Sequence, residues 1–207
     1  MIFPDFRRSS EHRNVHALYG TIVAQARSAV FYTGYGVADT VEGRFELLVL
    51  HVVLVLRRLS RADKFAARLD PGPTERGLIG QRLFDVFCHD LDRNLREMGV
   101  GDLAVPREMR RFGEAFYGRQ TAYRAGFDAA GQQGLEAAIA RNIYGVAAVD
   151  QRAARLALYA RAAAGRLDRI EASALAAGKA KMSFPSLRLL RMPERKSEKQ
   201  APAGWRV

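Results

Sequence analysis

The 207-residue sequence is poor in cysteine: Cys88 stands alone, without a CxxC pair. An intrachain disulfide and the usual cysteine-based metal motifs are therefore excluded, and this usage is typical of a reducing compartment. The N-terminal stretch MIFPDFRRSSEHRN also lacks an apolar h-region and a small-residue cleavage site. We therefore expect a chain that is not exported by a secretory signal.

The common catalytic motifs are absent as well, because the sequence contains no G-x-S-x-G, no Walker loop and no Rossmann fingerprint after a predicted strand. Asp85, His89 and Asp92 have the spacing i, i+4 and i+7, which places them on one helix face as metal ligands could be. The alternative is a solvated face with ion pairs to nearby arginines. We predict the second, and hence no enzyme activity, no metal and no cofactor.

Acidic residues are in the minority, with 22 Asp and Glu against 33 Lys and Arg and a net charge of +11. This excess favours anionic partners such as ribosomal RNA, lipid headgroups or acidic proteins, although an Arg-rich solvated surface is the plain alternative. Residues 179–207 contain three prolines and no sustained periodicity, so we predict a helical domain over 1–178 and a basic, largely irregular tail after it. The cations expected to attach the tail to a ribosome or a membrane are Lys179, Lys181, Arg188, Arg191, Arg195 and Lys196.

Long apolar runs are limited to RFELLVLHVVLVLRRL at 44–59. The apolar part is about a dozen residues and includes Glu46 and His51, whereas a membrane-spanning helix needs about 20 apolar residues. The valines would suit a strand, but Asp39 and Glu42 resemble a capping box and arginines follow the run. We predict a helix from Asp39 to about Arg61, apolar on nearly all sides and surrounded by other helices, with His51 as a hydrogen-bonded core residue.

Helical periodicity recurs along the rest of the chain, whereas hairpin patterns and internal repeats are absent. We therefore predict an all-α fold with one multi-helical domain around the central apolar helix. The helix predicted over residues 78–98 carries an apolar stripe, and Gly99 is suited to the left-handed position after it. The stripe consists of Phe84, Phe87, Leu91, Leu95 and Met98. A further predicted helix begins near Pro106 and has an apolar side that consists of Met109, Phe112, Phe116, Tyr123 and Phe127. The remaining predicted helices are Glu11–Ala29, with Ser10 as its cap, Leu135–Tyr144, and Ala148 to about Ala177.

Two long stretches resemble the ubiquinol-cytochrome c chaperone family. They are LYGTIVAQARSAVFYTGYGVADTVEGRFELLVLHVVLVLRRL and LFDVFCHDLDRNLREMGVGDLAVPREMRRFGEAFYGR, and the resemblance covers about Tyr19 to Tyr123. The Arg-rich composition and the lack of a long presequence make the chain look like a bacterial relative.

The resemblance implies an assembly factor for the ubiquinol-cytochrome c oxidoreductase, respiratory complex III, that binds newly made cytochrome b. Mitochondrial members act near the ribosomal exit tunnel with a small partner factor, so a ribosome, an anionic membrane surface and such a factor are further implied partners, and DNA is not. The implied location is cytoplasmic and peripheral to the inner membrane, which corresponds to the matrix side in mitochondrial relatives. The alternative function is a basic helical module that binds RNA or the ribosome.

A chaperone for a membrane protein must expose apolar area, and the Gly-rich and Tyr-rich link VFYTGYGVA at 30–38 is the segment expected to do so. A short turn buries rings less well than a helix face does. The alternative is that these rings pack between helices. The predicted client-binding residues, with two arginines as a polar rim, are Phe31, Tyr32, Tyr35, Arg44, Tyr117 and Arg119.

Overall fold

The computed structural model describes residues 4–66, 75–171, 174–175 and 184. Within these residues the structure is all-α, as predicted, and contains no strand. The helices, the second of which is a single turn, are α1 Pro4–Ala26, α2 Val30–Thr33, α3 Val41–Ala66, α4 Glu75–Glu97, α5 Val105–Asp128, α6 Gln133–Ile143 and α7 Gln151–Arg169.

Helix α3 lies at the centre of the domain and contacts α1, α4, α5, α6 and α7. Every residue from Leu47 to Leu56 is buried except Leu48, which is partly buried. Burying a leucine or valine side chain contributes about 1.5–3 kcal/mol, so this run organises the core. The interpretation as a core helix is confirmed, and no helix in the described part of the chain is long and apolar enough to span a membrane.

The helix ends follow local capping chemistry. At the start of α3 the Oγ1 of Thr40 accepts from the backbone N–H of Gly43 at 3.1 Å, whereas Asp39, the predicted cap, forms an ion pair with Arg44 at 2.7 Å. Both residue types can cap, and the cap lies one position later than predicted. At the end of α4, Gly99 has φ +82°, and Val100 N–H donates to Leu95 at 3.0 Å. The predicted left-handed glycine is thus confirmed.

Several helix boundaries differ from the predictions; α1, for example, ends at Ala26 and α3 extends to Ala66. Two of the differences have a clear physical reason. Helix α1 begins at Pro4, so Ser10 lies inside it and does not cap it. Helix α7 ends at Arg169 and does not continue to Ala177. The guanidinium of Arg58 on α3 donates to the carbonyl oxygens of Leu167 at 3.0 Å and of Ile170 at 2.7 Å, and it thereby satisfies groups that the end of a helix leaves free. A tertiary contact therefore marks the end of α7.

Candidate functional site

The predicted aromatic link forms α2 and turns two of its rings into the core. Phe31 is fully buried and Tyr35 is 2% exposed. The Phe31 ring lies 5.0 Å from the ring of Tyr159 and 5.3 Å from that of His51. The expectation that these two rings are exposed is therefore wrong, because one helical turn directs positions 31 and 35 to the same side, toward α3 and α7. Tyr32 is partly buried.

His51 belongs to a buried hydrogen-bond network, as predicted. Its Nδ1 lies 2.7 Å from the carbonyl oxygen of Leu47 and its Nε2 lies 2.8 Å from the hydroxyl of Tyr159, which also accepts from Gln25 at 3.0 Å. Burial lowers the pKa of His51 to about 4. The imidazole is thus neutral and engaged at both nitrogens, and its role is to connect α1, α3 and α7.

Tyr117 lies on the outside of α5, as predicted, and is 57% exposed. Its ring centroid is 5.8 Å from that of Phe84. A small cavity of about 190 Å³ lies beside it, between α3, α4 and α5. Tyr117 does not line the larger opening in the fold, which lies elsewhere along α5.

That larger opening is a groove of about 590 Å³ bounded by α1, α3, α4 and α5. We call it the four-helix groove. At its mouth Val41 is 63% exposed and Met98 is 56% exposed, which is unusual for large apolar side chains. Its apolar lining is Val23, Ala26, Val41, Phe45, Leu48, Leu91, Leu95, Met98, Phe112 and Ala115.

One partly buried ion pair, in which the Glu46 side chain is 9% exposed and that of Arg119 is 24% exposed, interrupts this apolar lining. The Nε of Arg119 lies 2.8 and 2.6 Å from the two carboxylate oxygens of Glu46, and its Nη2 donates to the same carboxylate. The Nη1 donates to the carbonyl oxygen of Ala115 at 3.1 Å. Burial raises the pKa of Glu46, and the guanidinium of Arg119 opposes this shift. The pair is mutually neutralised, and both of its members line the groove.

The charged rim of the groove consists mainly of exposed ion pairs. Arg44 pairs with Asp39, and Arg111 pairs with Glu108 at 3.1 Å. Such exposed pairs stabilise a fold by at most about 1 kcal/mol, so they are free to exchange partners when another molecule approaches. Arg44 and Arg119, two of the predicted client-binding residues, therefore lie at the same groove.

Comparison with known proteins gives a consistent result. The family model described as Ubiquinol-cytochrome C chaperone matches residues 33–184. The crystal structure of the Cbp3 homolog from Brucella abortus is similar, with 34% sequence identity and a TM-score of 0.77 over 92% of this chain and 100% of that chain. Among curated proteins none matches. The chain belongs to the ubiquinol-cytochrome c chaperone family.

In this family member two of the three candidate metal ligands, Asp85 and Asp92, take part in ordinary surface contacts. Asp85 accepts from Gln81 at 2.8 Å, and Asp92 accepts from Arg96 at 2.8 Å. Across the described residues no three His, Cys, Asp or Glu side chains are grouped as metal ligands would be. The prediction that the protein binds no metal stays a prediction.

The predicted attachment residues of the tail lie outside the described residues, so their role also stays a prediction. One residue of the tail is described: Phe184, whose ring lies 5.2 Å from that of His51 and whose carbonyl oxygen accepts from Arg166 at 2.9 Å. The family model also extends to Phe184. The packed body of the chaperone therefore includes this residue.

Sequence reasoning missed the four-helix groove. The helical periodicity places Leu91, Leu95 and Met98 on one apolar stripe of α4 and Phe112 on the apolar side of α5, and it therefore predicts that these residues lie in the core. The structure leaves Leu91 and Phe112 partly buried and Met98 exposed. The available signal was a surplus of apolar residues on neighbouring helices, which predicts an apolar face but does not show whether another helix covers it.

Proposed function

We propose that this protein is a non-enzymatic assembly chaperone that binds newly made cytochrome b and assists the biogenesis of respiratory complex III. The observation that carries the proposal is the open four-helix groove, with exposed Val41 and Met98 at its mouth. Exposed apolar surface of this kind typically marks an interaction site. Membership of the chaperone family supports a role in assembly.

The groove has the properties expected of a surface that receives an apolar helix. Its volume of about 590 Å³ falls within the usual range of binding pockets, and the apolar part of its lining is aliphatic and aromatic. Helices bind such grooves through side chains at positions i, i+3, i+4 and i+7. Met98 is unbranched and flexible, so it can adapt to the shape of the bound segment.

This proposal revises the predicted client surface. Val41, Met98 and Phe45 join Arg44 and Arg119 as proposed client contacts at the groove. Phe31 and Tyr35 are removed from it, because a client could reach them only if the core opened. Tyr32 and Tyr117 stay as proposed contacts outside the groove lining.

We further propose that the tail, residues 179–207, promotes attachment to a ribosome or to the anionic surface of the inner membrane. Each lysine or arginine near an anionic membrane contributes about 1 kcal/mol of attraction, which is screened by salt. A small partner factor is the remaining proposed partner. The proposed attachment residues are Lys179, Lys181, Arg188, Arg191, Arg195 and Lys196.

The test is to place a charge at the groove mouth. Val41→Glu and Met98→Glu should abolish co-purification of cytochrome b with the tagged protein, because a carboxylate would be desolvated under an apolar client. Both side chains are largely exposed, so the melting temperature should stay close to that of the wild type. Val149→Glu is the matched control, since Val149 is 43% exposed and lies outside the groove.

The control should capture cytochrome b as well as the wild type does. Undiminished capture by the two groove variants would refute the groove as the client site. Failure of the wild type to capture cytochrome b would refute the proposed function. Loss of the wild-type complex on ribonuclease treatment would favour the alternative of an RNA-binding module.

A further inference from the structure

The ion pair in the four-helix groove leaves hydrogen-bond donors that the described part of the chain does not use. A guanidinium group carries five N–H groups. In Arg119 the Nε–H and one Nη2–H bind Glu46, and one Nη1–H binds the carbonyl oxygen of Ala115. Two N–H groups therefore remain, one on each terminal nitrogen, and neither has an acceptor among the residues that the structure describes.

A bound segment would remove water from the groove that Arg119 lines. The Arg119 side chain is 24% exposed, so it is partly hydrated in the unbound protein. A fully apolar segment in the groove would remove that water and supply no acceptor. Leaving a donor unsatisfied in this way is costly, and sites built with such donors reject ligands that lack the matching group.

Glu46 indicates that the group of the bound segment that accepts from Arg119 is uncharged. Its carboxylate already neutralises Arg119, and its side chain is only 9% exposed. A second carboxylate at the free donors would lie close to Glu46 and be repelled by it at low effective dielectric. An amide, a hydroxyl or a backbone carbonyl oxygen would accept from Arg119 without this repulsion.

We propose that Arg119 is a specificity-determining residue of the groove, and that it selects an apolar helical segment carrying a neutral hydrogen-bond acceptor over one that is wholly apolar. This deepens the client-binding role of the groove and rests on it. The occupant is a segment of the partner protein that is apolar on the face toward Phe45 and Leu48 and polar at the single position opposite Arg119.

The test uses three synthetic helical peptides of about 18 residues, built from Leu and Ala with terminal lysines and differing only at one central position. That position is Gln, Leu or Glu. Fluorescence anisotropy with the full-length protein should give about tenfold tighter binding for the Gln peptide than for the Leu peptide, equivalent to about 1.4 kcal/mol. The Glu peptide should bind more weakly than the Gln peptide.

Two variants connect this preference to the ion pair. The double variant Glu46→Leu with Arg119→Met replaces the pair by apolar side chains, a change that buried ion pairs often tolerate without loss of stability. It should bind the Leu peptide better than the Gln peptide. The control is Arg110→Met, since Arg110 is exposed on the same helix and lies outside the groove lining. It should keep the wild-type preference for Gln.

Equal affinities for the Gln and Leu peptides, or no binding of either, would overturn the inference. Tightest binding of the Glu peptide would overturn the choice of a neutral acceptor. The same variants separate this inference from the proposed function. If the wild type and the double variant capture cytochrome b equally, the selective role of Arg119 is wrong and the chaperone function stands. If the wild type captures none, the function itself is wrong.

Discussion

The buried His51 should make the stability of the protein depend on pH below neutrality. The carbonyl oxygen of Leu47 can only accept, so Nδ1 carries the ring proton and Nε2 accepts from the hydroxyl of Tyr159. Both nitrogens are thus engaged in the neutral form. Burial lowers the pKa from 6.5 to about 4, and the hydrogen bond to Leu47 opposes this shift.

The magnitude follows from the difference between the folded and unfolded states. As the pH falls below 6.5 the unfolded chain protonates His51 first, so it binds more protons than the native state until the pH approaches 4. Each unit of pKa difference corresponds to about 1.4 kcal/mol, so the contribution of His51 to the free energy of unfolding should fall by about 3 kcal/mol between pH 7 and pH 4. Above about pH 7 it should be constant.

Urea unfolding at a series of pH values measures this slope. His51→Gln removes the titrating group and retains an amide that can hydrogen-bond to Tyr159, so its stability should fall less steeply with acidification than that of the wild type. His89→Gln is the control, because His89 is exposed, and its slope should match the wild type. Equal slopes for His51→Gln and the wild type would show that His51 is not the group responsible.

Three further changes have expected outcomes. Tyr159→Phe should lower the free energy of unfolding by about 1–3 kcal/mol in urea titrations, because it leaves the Nε2 of His51 without a donor; an unchanged midpoint would contradict the network. Gly99→Ala should cost about 1 kcal/mol because φ is +82°, whereas Gly101→Ala, whose φ is not positive, should cost less; equal costs would argue against backbone strain. Removing the residues after Phe184 should preserve the helical circular dichroism and weaken salt-sensitive sedimentation with ribosomes and anionic vesicles. Unaltered sedimentation would exclude the residues after Phe184 as the attachment site.

Local patterns predicted the helices better than they predicted the helix ends. The apolar run of α3 and the glycine after α4 carry their own signals, because all-round hydrophobicity implies a surrounded helix and φ > 0 favours glycine. The end of α7 depends on Arg58, which is more than 100 residues earlier in the sequence. No local pattern contains that contact.

The candidate site was the least predictable part, since it arises where four helices meet. A periodic stripe shows that the face of α4 with Leu95 and Met98 is apolar, but only the arrangement of α1, α3 and α5 leaves the end of that face open. Phe31 and Tyr35 show the converse. Their segment is too short for periodicity to indicate a partner, and α3 and α7 bury both rings.

The central position of α3 has a consequence for how the chain is synthesised. Helix α3 leaves the ribosome well before α7, yet α7 supplies Tyr159, which contacts His51 on α3. Until α7 emerges, the side of α3 that carries His51 lacks its native packing partner. Exposed apolar segments in partly synthesised chains are prone to aggregation. Completion of the core is therefore postponed until nearly the whole chain has been translated. During its own translation, this member of a chaperone family is therefore itself a partly folded chain that exposes apolar surface.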